Sequence, residues 1–266
     1  MDTNEHALSS ADARPVFPDL AGRVAVVTGG SRGIGAGTCR ALAANGAKVA
    51  VVARGAPAVE ALAADIRAHG GVAIGVAADC ADVDAVEAMR ARVEAELGPA
   101  DVLMAFAGGS GEPVPTLELT EAQWRAVLDA NLTSTFLTVQ SFLRGMVERG
   151  RGSVVTMASA AARLPAQSSM PYAAAKAGII QLTRHLANEM GPRGVRLNCV
   201  SPSAIMTEKM DERMPPAVRE PLAASFPLRR IGRVDDVAHA ALFLASDASS
   251  WITGVTLDVA GGKVMI

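Results

Sequence analysis

Aromatic residues are scarce in this chain, at 3% of its 266 residues, and they include a single tyrosine, Tyr172. So sparse a set offers no base-stacking surface for a nucleic-acid strand. An excess of one charge is also missing. Lys and Arg number 25 against 27 Asp and Glu, a formal net charge of -2, which leaves no basic footprint for neutralising phosphates. The three cysteines, Cys39, Cys80 and Cys199, are odd in number and too widely spaced for a disulfide framework or a metal-ligand cluster. A reducing, cytoplasmic compartment is the expectation. No apolar run approaches the roughly 20 residues of a membrane helix, and residues 1–21 lack the basic and apolar parts of a signal peptide. A flexible N-terminal arm is expected there, with neither a membrane nor a nucleic acid as partner.

Half of the chain is hydrophobic, enough for one substantial core at this length. From Arg23 onward, short β-branched runs alternate with alanine-rich stretches of helical period, the pattern of repeated βαβ units. It predicts one doubly wound α/β domain over residues 22–266. Strands are expected at Arg23 to Thr28, Lys48 to Ala53, Val72 to Ala77, Val102 to Ala105, Ser153 to Met157, Val195 to Val200 and Val255 to Val259. Their near-continuous apolar character fits strands covered on both faces of a parallel, seven-stranded sheet. Helices are expected at about Gly33 to Asn45, Pro57 to His69, Val83 to Leu97, Glu121 to Asp129, Ser134 to Arg149, Pro171 to Met190 and Asp235 to Ala245. Gly46, Gly70 and Gly71 follow two of them, as left-handed C-terminal caps favour. Residues 206–226, with three prolines, break the pattern and predict a substrate loop, either a lid or an irregular packing element.

After the first strand comes Thr28-Gly29-Gly30-Ser31-Arg32-Gly33-Ile34-Gly35, leading into a helix. Glycines let backbone approach a pyrophosphate, and the helix N-terminus adds unpaired N–H groups and a positive dipole end. Tyr172-Ala173-Ala174-Ala175-Lys176 opens a later helix, and a spacing of four places Tyr172 and Lys176 on one face. A nearby ammonium favours a phenolate and so lowers a tyrosine pKa from about 10. The Thr-Gly-x-x-x-Gly-x-Gly spacing resembles the short-chain dehydrogenase/reductase family, and the resemblance runs from about Gly22 to Gly262. It implies a Rossmann-type fold and a nicotinamide cofactor.

Further implications come residue by residue. Where NAD-preferring relatives carry an acidic residue after the second strand, this chain has Ala53 and then Arg54. Arg32 and Arg54 together suit a 2′-phosphate, so NADPH is expected in preference to NADH; otherwise both are solvated surface groups. Asp79 matches the aspartate beside the adenine, or else serves a helix N-terminus. Ala105-Phe106-Ala107-Gly108 stands where the family usually has Asn-Asn-Ala-Gly. Ala107 and Gly108 keep the close approach to the ribose, while the missing amide predicts weaker support for the backbone beside it. Ser159 is expected to steady the substrate oxygen and Tyr172 to exchange a proton with it. Lys176 would bind the nicotinamide ribose and tune Tyr172, and Asn131 would hold a water linking Lys176 to solvent. The segment Asn198 to Thr207 resembles the family's nicotinamide loop, with contacts from Pro202, Ile205 and Thr207. Ser203 replaces a glycine there and would be costly if its φ were positive.

Met206, Met210 and Met214 recur at helical spacing, with Met157 and Met170 close to Ser159 and Tyr172. They either line an adaptable apolar pocket or pack on the core. Arg149, Arg151 and Arg193 resemble the basic docking surface of 3-oxoacyl carrier-protein reductases. The expected function is a carbonyl reductase or alcohol dehydrogenase acting on a small ketone, a secondary alcohol or an acyl thioester. A 3-oxoacyl reductase is one specific form, and a non-catalytic NADP(H)-binding scaffold is the rival. The family's last helix and strand imply a homotetramer or homodimer.

Overall fold

Parallel strands buried on both faces organise the protein in a computed structural model that describes residues 15–165 and 168–266. The strands are β1 (Val24–Thr28), β2 (Lys48–Ala53), β3 (Val72–Ala77), β4 (Val102–Ala105), β5 (Gly152–Met157), β6 (Val195–Pro202), β7 (Ile205–Met206), β8 (Gly232–Arg233) and β9 (Thr256–Val259). Seven of them form one sheet in the order β3-β2-β1-β4-β5-β6-β9, all parallel, and β7 pairs with β8 apart from it.

Period-two alternation divides the core. Ala25 and Val27 of β1 face one side, against α1 (Gly33–Ala44), α2 (Ala56–Ala68) and α9 (Val234–Ala245). Val24 and Val26 face the other, against α3 (Val83–Leu97), α5 (Ser134–Glu148) and Ala187 of α6 (Met170–Met190). Helices on both faces explain why the strands lack a polar side. Gly46 and Gly70 take positive φ (79° and 84°) after α1 and α2, as the capping pattern predicts.

The remaining helices surround the C-terminal edge of the sheet. α4 (Glu121–Leu128) begins in a reciprocal cap between Thr120 and Gln123, and a wide π-type turn over Asp129–Thr133 joins it to α5. Widened turns of this kind often sit at functional sites. The excursion expected at 206–226 contains α7 (Glu208–Arg213) and α8 (Pro216–Ala224). Of the arm expected over residues 1–21, residues 1–14 lie outside the described residues. Leu20 is fully buried, and the Phe17 N–H donates to Asn45 Oδ1 at 2.6 Å.

The strand order reverses at β1, which lies between β2 and β4. In an open parallel sheet that reversal leaves a crevice at the carboxyl ends of the strands, where ligands bind. No helix of the described residues is long and apolar enough to cross a membrane.

Candidate active site

At that crevice lies a cleft of about 1030 Å³. One end is the glycine turn between β1 and α1. A Cβ at Gly35 would run into the Gly29 carbonyl oxygen, so glycine there is what lets the first turn of α1 rest on the end of β1 and keep its N–H groups accessible. Gly29, Ser31, Arg32, Gly33, Ile34 and Gly35 all line the cleft. Arg54, after β2, and Asp79, after β3, join them. Arg32 and Arg54 are exposed, and neither forms a salt bridge among the described residues. Asp79 is not the cap of α3. That role falls to Asp82, whose carboxylate accepts from the Asp84 N–H at 2.9 Å.

The weaker backbone support expected at Ala105-Phe106 does not arise. Thr28 supplies it: its hydroxyl oxygen accepts from the N–H groups of Phe106 at 3.0 Å and Ala107 at 3.1 Å. Two residues on, Gly108 closes the floor of the cleft. A Cβ there would strike Asn131 Oδ1 and come within 3.4 Å of Lys176 Nζ. Asn131 and Lys176 therefore lie beneath the floor, while the other expected site residues, Ala107, Gly108, Ser159, Tyr172, Pro202, Ile205 and Thr207 among them, line the cleft itself.

Asn131 is fully buried in the π-type turn. Its Oδ1 accepts from the Gly109 N–H at 3.2 Å, and its Nδ2 donates to the carbonyl oxygens of Gly109 at 3.0 Å and Val127 at 2.9 Å. Both amide protons are thus committed, and the side chain acts as a clamp on the loop after β4. Sequence reasoning missed this clamp and also Ser169, whose hydroxyl donates to the Ser110 carbonyl at 2.6 Å and ties the same loop to the start of α6.

Ser159 follows β5 and caps the short 3-10 turn Ala160–Ala162, its Oγ accepting from the Ala161 N–H at 3.2 Å. The Ser159 hydroxyl lies close enough to the Tyr172 phenol to favour its ionised form. The Lys176 ammonium sits 5.5 Å from the centre of the Tyr172 ring and donates to the Met157 carbonyl at 2.8 Å. Burial pushes Lys176 down from its ordinary range to about 8. Burial also pushes the Tyr172 phenol up, partly offset by the Ser159 hydroxyl. In the cofactor-free protein burial, rather than Lys176, sets the direction of the phenol's shift.

In the loop after β6, Ser203 does not take positive φ, which among non-glycine described residues occurs only at Arg229, so serine carries no backbone strain there. The Thr207 hydroxyl caps α7 by accepting from the Met210 N–H at 3.3 Å. The methionine stripe is divided. Met157, Met210 and Met214 line the cleft with Pro215 and Val218, whereas Met206 belongs to β7 and Met170 is 42% exposed outside it. Arg149, Arg151 and Arg193 precede β5 and β6, at the sheet edge opposite the cleft. Arg149 donates to the Ala100 carbonyl and Arg151 pairs with Asp101, which ties both to the turn before β4.

A glycine cradle, unpaired guanidinium groups and a buried lysine under a tight floor fit a dinucleotide. The comparisons decide the family. A family model described as "Enoyl-(Acyl carrier protein) reductase" matches residues 29–263. The chain belongs to the short-chain dehydrogenase/reductase family. Cis-4-hydroxycyclohexanecarboxylate dehydrogenase of Sinomonas cyclohexanicum is 41% identical over 93% of this chain and 98% of its own. D-threitol dehydrogenase of Mycolicibacterium smegmatis is 39% identical, over 91% of this chain and 93% of its own. A crystal structure of a 3-oxoacyl-[acyl-carrier protein] reductase with bound NAD from Brucella melitensis superposes with a TM-score of 0.88 at 33% identity, covering 98% of this chain and 100% of that one. This short-chain dehydrogenase/reductase is accordingly an oxidoreductase of alcohol and carbonyl groups.

Proposed function

We propose that the protein is an NADP(H)-dependent carbonyl reductase, reversible as a secondary-alcohol dehydrogenase, with Tyr172 as its general acid and base. The observation that carries this reading is the meeting of Ser159, Tyr172 and the glycine turn on one cleft, with Lys176 directly beneath. When bound, the nicotinamide supplies or accepts hydride at its C4. Ser159 donates to the substrate oxygen and fixes the carbonyl carbon in reach. Tyr172 gives its phenolic proton to that oxygen in reduction and takes it back in oxidation. Lys176 holds the nicotinamide ribose and supplies positive charge under the phenol. Asn131 keeps the loop after β4 closed over Lys176. Arg32 and Arg54 receive the 2′-phosphate, and their lack of salt-bridge partners among the described residues supports NADPH over NADH.

Met157, Met210, Met214 and Val218 make the substrate end of the cleft apolar and adaptable, which supports a ketone on a ring or short chain. The names of the relatives keep a 3-oxoacyl thioester as the specific alternative. Trp251, 99% exposed, and Val255, 42% exposed, flank the edge strand β9 and support a homo-oligomer formed through that edge, in the cytoplasm.

The test is a panel of acetoacetyl-CoA, a 4-oxocyclohexanecarboxylate and a four-carbon ketose, each with NADPH and NADH. Reduction by the native chain that falls at least about 100-fold in Tyr172→Phe supports the reading. Tight NADPH binding with no turnover across the panel would favour the non-catalytic scaffold instead.

A further inference from the structure

Ser159 is held by its own turn, and that turn is tied at its far end. The Ala162 N–H donates to the Ser159 carbonyl at 2.9 Å and the Arg163 N–H to the Ala160 carbonyl at 3.0 Å. Arg163 Nε then reaches across to Asp258 Oδ1 at 3.1 Å, with both side chains only 13% exposed. Asp258 lies on β9, opposite Ser201 of β6. A second, apolar anchor joins the same two segments, where Ala160 packs on Ala260 and Val264. Other ion pairs of the protein, such as Arg125 with Glu121 at 70% and 75% exposure, are solvated and contribute little.

We propose that the Arg163–Asp258 ion pair is a positioning device for Ser159, holding its hydroxyl where it meets the Tyr172 phenol and the substrate oxygen. The inference rests on the roles given to Ser159 and Tyr172 above. A largely dry ion pair contributes little net stability compared with apolar residues of the same volume, but a guanidinium on a carboxylate fixes direction. Direction is what this turn needs. The Ser159 oxygen already accepts from Ala161, so any rotation of the turn re-aims the remaining hydroxyl hydrogen. A displacement of about 1 Å at a reacting group can cost about 100-fold in rate.

Because Tyr172 is the only tyrosine, its ultraviolet titration reports the influence of the Ser159 hydroxyl on the phenol with no substrate required. The titration is run on protein saturated with NADP+ for the native chain, Ser159→Ala, Asp258→Asn and the two combined. Circular dichroism at each pH confirms that the fold persists. Removing the Ser159 hydroxyl is expected to raise the phenol midpoint, and Asp258→Asn is expected to raise it by about half a unit in the native background and by nothing further beside Ser159→Ala. Arg163→Lys should fall between native and Asp258→Asn. A merely structural pair predicts equal shifts in both backgrounds, or none, and either result overturns the proposal. If Ser159→Ala itself leaves the midpoint unmoved, the active-site reading fails first, and the pair's role fails with it. Should Asp258→Asn not fold, Arg163→Met combined with Asp258→Leu keeps the volume without the charges, and the same comparison applies.

Discussion

Lys176 holds its ammonium 5.5 Å from the centre of the Tyr172 ring while donating to the Met157 carbonyl oxygen, in surroundings that leave it 3% exposed. The spacing of four residues on one helix face sets this distance, and burial sets the cost. Lys176 is therefore a destabilising residue in the cofactor-free protein.

The pH dependence follows from that cost. Burial lowers Lys176 from 10.5 to about 8, so between those values the unfolded chain binds more protons than the folded one. This contribution makes stability rise with pH across that window and is least favourable below it. At pH 7 the shift corresponds to about 3 kcal/mol against the fold, and the hydrogen bond to Met157 returns about 1–2 kcal/mol. Lys176→Met should thus stabilise the cofactor-free protein by about 1–2 kcal/mol at pH 7, raising Tm by several degrees, while abolishing turnover. Calorimetry checks the first result; a lowered Tm would contradict the burial argument.

Arg32 and Arg54 stand exposed at the glycine-turn end of the cleft. A charge-assisted hydrogen bond to phosphate is worth about 1.5–3 kcal/mol. Replacing either arginine by Ala should weaken NADPH binding about 10-fold or more and leave NADH binding within about twofold. Fluorescence titration of both cofactors measures this. Native protein that binds NADH more tightly than NADPH would remove both arginines from the role.

Glu208 reaches from the start of α7 to the first turn of α1, where its carboxylate accepts from the Gly33 N–H at 3.2 Å. A diphosphate uses the same positive helix end, and two anions there repel each other. Glu208→Gln should tighten cofactor binding by about three- to tenfold at low salt, less at high salt. Unchanged or weaker binding in that variant would show that Glu208 does not compete.

The regular periodicities made most of the framework legible. All seven sheet strands, the glycine turn and the shared helix face of Tyr172 and Lys176 could be read from apolar runs and local spacing, whereas Ser159 stood out only through the family resemblance. What escaped was long-range and polar. No sequence pattern announces that the Thr28 hydroxyl supports Phe106, 78 positions away, or that Asp258 lies against Arg163, 95 positions on. The methionines misled for a related reason: a helical period was extended through Met206, which is in β7, because a chain break into a two-residue strand leaves no periodic trace. Spacing places Lys176 beside Tyr172 but carries no sign of the burial that raises the phenol in the cofactor-free protein.

In the proposed mechanism this cleft and its cofactor together turn the phenol of Tyr172 into a proton carrier. The deciding measurement is titration of the sole tyrosine by ultraviolet absorbance, with and without saturating NADP+. The midpoint is expected above the ordinary 10 in the protein alone, where burial dominates, and below about 10 in the complex, where the positive nicotinamide favours the phenolate. A midpoint that stays above 10 when NADP+ is bound would contradict that mechanism.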